Sequence, residues 1–319
     1  MGSYIIQRAM QAIVVLFIVT LGVFLLMRLL PGDPILVYIS RDDFSRVSSQ
    51  EEIDRLRHEF GTDRPLYVQY ADWISGVVRG DLGDSIFLGT SVTEEVARAM
   101  PRTVYIGTIA WIVAHLIGVP AGIICAVRQG KWQDTVLTVL ANAGVTAPIF
   151  WIGILLVYTF GLKLDLLPIQ GYTSPFEDLS LSLQQIVMPV FCLALPPMSG
   201  ATRQTRSAML EVIRQDYIRT AWAKGLGERA VVMRHAVRNG IIPVVTLGGL
   251  TIPRIFGGAV LIETIFNIPG MGRLAVDALF SQDYAIVQGI VLITAIIIVV
   301  TNFLIDISYG WIDPRIRLE

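Results

Sequence analysis

Asp216-Tyr-Ile-Arg-Thr-Ala-Trp-Ala-Lys-Gly-Leu-Gly-Glu-Arg-Ala-Val-Val-Met-Arg-His-Ala-Val-Arg-Asn-Gly-Ile-Ile-Pro243 is a long polar and basic interruption between two strongly apolar regions. Helix-like spacing on either side of Gly225 reads as two short helices joined at a glycine. Arg219, Ala221, Ala223 and Lys224 are good helix formers, and they lead into a residue that reaches positive φ without a Cβ penalty. The helical pattern resumes after Gly227, with Glu228 in its first turn, where a negative charge meets the positive end of the helix dipole. Helix, sharp turn, helix is the result. On spacing alone this fits either a loop held on one side of a membrane by its positive charge or an element that docks a partner.

The basic character extends beyond the stretch. Arg203, Arg206, Arg214, Arg219, Lys224, Arg229, Arg234 and Arg238 make residues 203–238 the strongest positive-inside signal in the chain, which places them in the cytoplasm. Immediately upstream, about Ile186 to Ala201 reads as a short fourth span broken by Pro189, Pro196 and Pro197. Immediately downstream, Ile241 to Ile265 reads as a fifth span that contains Pro253, Arg254, Gly257 and Gly258.

Further out, residues 9–30 form an apolar run long enough for a bilayer core of about 30 Å. A cleaved signal peptide is the competing reading. It fails because the run is too long for a signal core and ends in Arg28-Leu-Leu-Pro-Gly-Asp-Pro34 without a small-x-small cleavage site. Thr103 to Val127 is a second span, followed by a short basic return, Arg128 to Asp134. Val136 to Leu162 is a third, where Pro148 removes a backbone donor and predicts a kink. Gln288 to Ile307 is the sixth, and Asp313-Pro-Arg-Ile-Arg317 returns the chain to the cytoplasm. Residues 35–98 form an external segment with an amphipathic helical patch at Ser49 to Phe60 and an aromatic stretch, Leu66 to Ile74. Those aromatics suit packing at the membrane interface, with substrate contact as the alternative.

Composition agrees with a polytopic membrane protein. The 319 residues are 54% hydrophobic, and the mean hydropathy is +0.62. A net charge of -1 provides no basic footprint for nucleic acid. Cys125 and Cys192 lie in apolar segments without ligand spacing, and His58, His115 and His235 are scattered, so neither a metal nor a redox motif emerges. Gly-x-x-x-x-Gly-Lys-[Ser/Thr] is absent, so any ATP used is bound by another subunit. Ser199-Gly200 lacks the flanking pattern of a serine hydrolase.

The stretch around Gly225 resembles the cytoplasmic "EAA" loop of bacterial ABC importer membrane subunits. In the pattern Glu-Ala-Ala, three residues, then Gly, this chain has Arg219, Thr220 and Ala221 before Gly225, so two of the four positions depart. The later Ile-x-Leu-Pro falls on His235, Ala236, Val237 and Arg238, also a departure. The run Tyr-Ile-Arg-Thr-Ala-x-Ala-Lys-Gly-Leu, with His-Ala-x-Arg-Asn and Ile-Pro-Val-Val-Thr after it, is similar to the dipeptide, oligopeptide and nickel branch. Leu30-Pro-Gly-Asp-Pro34, Asp63-Arg-Pro-Leu66, Gly80-Asp-Leu-Gly83 with Ser85, Glu263-Thr-Ile-Phe266, Pro269-Gly-x-Gly-Arg273 and Asp283-Tyr284 resemble the same branch, so the resemblance covers nearly the whole chain.

That resemblance implies an all-α, type I importer permease with six transmembrane helices and both termini cytoplasmic. It implies one permease domain over 1–319, with residues 1–98 as first span plus external segment and 99–319 as a five-span core containing the coupling loop 203–240. It also implies a second homologous permease, two ATP-binding subunits holding ATP and magnesium, and an extracytoplasmic solute-binding protein. Arg219, Thr220, Ala221, Ala223, Lys224 and Gly225 become the expected ATPase-docking residues. Di- or oligopeptides are the expected cargo, with nickel chelates and glutathione-like compounds as alternatives. No enzymatic activity or bound cofactor is expected of this chain.

Two intramembrane residues are candidates for the translocation path. Arg254 is a charge placed well inside an apolar span, where an unpaired cation costs several kcal/mol. It suits a water-filled path and a substrate carboxylate, or a pairing with an acid on the partner permease. His115, in the second span, suits either the path or a hydrogen bond between helices. Two rival classes stand on span count alone: an ATP-independent channel or secondary transporter, and a membrane protein whose basic loop binds lipid.

Overall fold

A computed structural model describes residues 2–29, 50–59, 61–85 and 87–312. The Leu30–Pro34 turn and the Asp313–Arg317 terminus lie outside the described residues, as do Ser49 and Phe60. The described chain is helical: α1 (Gly2–Leu29), α2 (Gln50–Glu59), α3 (Leu66–Val78), α4 (Val92–Val127), α5 (Trp132–Thr146) and α6 (Ile149–Leu156), which runs into a π-helical turn at Val157–Lys163. Then come α7 (Leu179–Ile213), α8 (Asp216–Ala223), α9 (Glu228–Ala230), a π-helical stretch at Val231–Ala236, and α10 (Val237–Gly240). The chain continues through α11 (Ile242–Gly249), α12 (Ile252–Ile265), α13 (Met271–Ser281) and α14 (Tyr284–Ile312).

Among the described residues four helices are long and apolar enough to cross a membrane, within α1, α4, α7 and α14. Two bent pairs raise the number to six if each counts as one span. At Pro148 the sequence predicts a kink. The structure breaks the span there, α5 and α6 meeting at 103°, with Ala147 and Pro148 both in extended backbone. Extended backbone before a proline is the ordinary outcome of the clash with its ring, and here it ends α5. The fifth span also breaks, by 46° between α11 and α12. Pro253 therefore starts a helix rather than interrupting one, and in a first turn its missing N–H is no loss.

The fourth span differs most from its sequence reading. In place of a short broken segment, α7 is one helix of 35 residues that runs through Pro189, Pro196 and Pro197. Membrane helices tolerate such prolines where neighbours enclose the freed backbone groups. Here α4 provides the enclosure. Ala110, Ala114, Gly118, Gly122 and Ala126 recur every fourth residue and are all buried. A Cβ at Gly118 would sit 2.5 Å from the Met198 carbonyl, and one at Gly122 equally close to that of Thr202. Small residues thus let the α4 and α7 backbones approach closely, as in other membrane helix pairs. The opposite face of α4, with Ile112, Leu116 and Ile124 exposed, is an outward apolar surface.

Polar ties fix the bundle. Near the loop-bearing end, Arg206 of α7 grips Asp134 of α5 in two-pronged fashion, Nε to Oδ1 at 2.7 Å and Nη2 to Oδ2 at 2.9 Å. At the opposite end the Glu263 carboxylate, 1% exposed, accepts from the Thr103 hydroxyl at 2.6 Å and from the Gly272 and Arg273 amides at 2.7 and 3.1 Å. It caps α13 and joins α12 to α4. The Thr103 oxygen accepts in turn from the Met271 amide at 2.8 Å. Ser85 donates to the buried Asp283 carboxylate, fastening the segment before α4 to the start of α14. The aromatic stretch of α3 packs on α1: Tyr70 and Trp73 lie 5.4 and 6.3 Å from Phe24, and Tyr70 meets the Thr20 hydroxyl at 2.9 Å.

Candidate docking loop and intramembrane charge

After α7 the chain turns at Arg214 and Gln215 into α8, whose period decides which side chains face inward. Ile218 and Ala221, one turn apart, are 1% and 6% exposed. They pack with Ala126 at the end of α4, Met209 near the end of α7, and Val231 and Ala236 of the returning segment. At the close of that return, a Cβ on Gly240 would lie 2.8 Å from Met209 Sδ. Asn239 Nδ2 donates to the Tyr217 hydroxyl at 2.9 Å, tying the start of α8 to the return. The loop is consequently one packed unit with the ends of α4 and α7.

Gly225 terminates α8 in the left-handed conformation, at φ 78°. Its amide donates to the Trp222 carbonyl at 2.9 Å, and that of Leu226 reaches back to Ala221 at 3.4 Å, the paired bonds of a Schellman C-cap. A Cβ on Gly225 would meet nothing within 4 Å. The glycine is there for its backbone, and the space around it is open.

The structure brings Arg219, Thr220, Ala223, Lys224 and Gly225 together on an exposed surface. Arg219 sits 3.3 Å from Asp216, both well exposed, an arrangement worth little and easily exchanged for another partner. Ala221 is separated from this group, because its methyl faces the apolar cluster. Sequence reasoning passes over Trp222, which is 47% exposed at the flank of the same helix. Its position one residue past the inward Ala221 is the signal: a large aromatic at the edge of an amphipathic face, in a loop of polar residues, offers contact area to a partner.

Arg254 lies in the first turn of α12, exposed, with no ion pair among the described residues. Gly257, Leu261 and Thr264 share its exposed helix face. His115 is placed differently. Its Nδ1 is 2.8 Å from the carbonyl of Trp111 in its own helix, and its ring lies 4.6 Å from the Trp111 ring. Nε2 would lie 2.7 Å from a Cβ on Gly248 of α11, and Trp111 Nε1 donates to the Gly248 carbonyl at 2.9 Å. His115 thus sits at the contact between α4 and α11, just before the break that precedes Arg254.

Comparison with known proteins places this architecture. The family model described as binding-protein-dependent transport system inner membrane component matches residues 118–318, and its N-terminal companion matches residues 1–106. The oligopeptide transport system permease protein AppB of Bacillus subtilis is 36% identical, over 99% of this chain and 100% of that one. The di/tripeptide transport system permease protein DppB of Pseudomonas aeruginosa is 38% identical, over 99% of each. A probable peptide ABC transporter permease of Sinorhizobium fredii is 37% identical over 99% and 100%. Among solved structures, the MetNI methionine ABC transporter in an inward-facing form shares the fold, with a TM-score of 0.53 at 14% identity over 68% of this chain and 96% of that one. The chain belongs to the binding-protein-dependent transport system inner membrane component family, multi-pass membrane permeases that carry no ATPase domain of their own.

Proposed function

We propose that this chain imports di- or oligopeptides across a bacterial inner membrane, received from an external solute-binding protein. It pairs with a second homologous permease and is driven by two subunits that bind ATP and magnesium. The observation that carries the reading is the packed loop around α8. Its outer surface of Arg219, Thr220, Ala223 and Lys224 is free for an ATPase subunit, and its inner surface is joined to α4 and α7. Closure of the ATPase pair then moves those helices and switches the gate. The printed functions of the relatives support peptides as the cargo.

In this reading each bent pair is one span, giving six, and both termini are cytoplasmic in a single domain over 1–319. The ion pair between Arg8, early in α1, and Asp306, late in α14, supports both ends lying at one level, at 3.4 Å. The exposed face of α12 with Arg254 borders the translocation path, where the guanidinium meets the carboxylate of a passing peptide. His115 shapes that path from the side, by holding α11 against α4.

Reconstitution of the whole complex in nanodiscs tests the proposal. Peptide-loaded binding protein stimulates ATP hydrolysis, and Arg254→Gln lowers uptake of anionic peptides more than of amidated ones. Stimulation by nickel chelates or glutathione but not by peptides overturns the cargo. Absence of any stimulated hydrolysis overturns the importer reading itself.

A further inference from the structure

A groove of about 560 Å³ runs between the last turn of α4 and the returning segment of the loop, lined by Ile123, Ile124, Val127, Arg128, Glu228, Arg229, Val232 and Met233. Its floor is apolar and its mouth carries two arginines against one acid. Both arginines are exposed and without an ion pair among the described residues. Ile124 and Met233 are 46% and 57% exposed, so the apolar floor remains open. At its membrane side the groove continues into the exposed stripe of α4 through Ile124, Leu116 and Ile112.

We infer that this groove is a binding site for one anionic phospholipid. The charge complementarity is specific in position. Arg128 follows directly on the apolar turn that ends α4, where a headgroup phosphate lies, and Arg229 approaches from the loop side. An acyl chain fits along Ile123, Ile124 and Val127 and out over the lipid-facing stripe, in continuous apolar contact. A zwitterionic lipid gains less, because its amine meets the same arginines. The bound lipid bridges α4 and the moving loop, so the inner-leaflet composition bears on the segment that carries the docking helix.

The test uses the full complex in nanodiscs of phosphatidylcholine mixed with phosphatidylglycerol, with retained lipid read by native mass spectrometry. The wild type retains phosphatidylglycerol over phosphatidylcholine. The double variant Arg128→Gln/Arg229→Gln retains it about thirtyfold less well, two arginines at about 1 kcal/mol each. Arg203→Gln/Arg214→Gln, which removes equal charge outside the groove, retains it as the wild type does. Phosphatidylglycerol with a photoreactive acyl chain labels Ile123, Ile124, Val127, Val232 and Met233. Equal retention of both lipids overturns the inference, as does equal loss in the two double variants, which is general surface attraction. Unchanged retention in Arg128→Gln/Arg229→Gln overturns it, as does cross-linking of the groove to a partner subunit in place of lipid.

Discussion

Replacing Gly225 separates backbone geometry from bulk at the turn after α8, the loop proposed to dock the ATPase. A residue with a Cβ held at φ 78° costs roughly 1–2 kcal/mol, and a β-branched one more, up to about 3. Nothing within 4 Å opposes the added atoms, so the penalty falls on the turn and not on packing. The apolar cluster behind Ile218 is untouched, and the protein folds and assembles. A penalty of 1–2 kcal/mol shifts the population of the native turn by roughly 5- to 30-fold. Gly225→Val therefore reduces peptide uptake and binding-protein-stimulated ATPase activity severely, Gly225→Ala reduces them in part, and Gly225→Asn, which tolerates the left-handed region, stays near the wild type. Uptake into proteoliposomes, measured beside co-purification of the ATPase, reads the series. Full transport by Gly225→Val with normal ATPase binding refutes the reasoning, and so does an Asn variant as impaired as Val.

Three further outcomes follow from the polar ties. Arg206→Met strands the Asp134 carboxylate, 8% exposed, and lowers the stability of the complex by about 3 kcal/mol; adding Asp134→Asn recovers part of it, read by thermal unfolding. Glu263→Gln keeps one oxygen to accept from the Gly272 and Arg273 amides and turns its NH₂ toward the Thr103 hydroxyl, which loses its acceptor, a loss of about 1–3 kcal/mol by the same measurement. Burial pushes the Asp283 carboxyl above its ordinary value against the pull of its hydrogen bond from Ser85. Its stabilising contribution is complete below the unfolded carboxylate value of about 4 and is lost as pH rises through the folded value. Unfolding midpoints followed upward from that pH fall for the wild type, and Asp283→Asn flattens the fall.

The four long apolar helices were legible as apolar runs in the sequence because apolar length is a local property, although the fourth run was read as short and broken where α7 is continuous. Breaks were harder to place. Pro148 and Pro189 are the same residue type in similar apolar runs, yet one ends a helix and the other lies inside α7. The approach of α4 to α7, where Gly118 and Gly122 meet Met198 and Thr202, is set between helices, and no local pattern carries it. At the loop around Gly225 the helix-turn-helix and the glycine were readable from spacing. The inward direction of Ala221 follows only once Met209 and Ala126 are known to be its neighbours. Glu263, Asp283 and Ser85 stand in recognisable motifs and Thr103 does not, but the pairing of Thr103 with Glu263 and of Ser85 with Asp283 joins segments far apart in the chain, and no local pattern carries it.

Cross-linking from α8 reads whether this helix meets the ATP-binding subunit. The native Cys125 and Cys192 are buried, so introduced thiols report with little background. Ala223→Cys and Lys224→Cys are predicted to cross-link to the ATP-binding subunit in the assembled complex, with a yield that changes when ATP is bound. Thr264→Cys, on the exposed face at the far end of α12, forms no such link. Failure of both α8 positions to reach the ATPase in a complex that contains it, or equal linking from Thr264→Cys, contradicts the assignment of α8 as the docking helix.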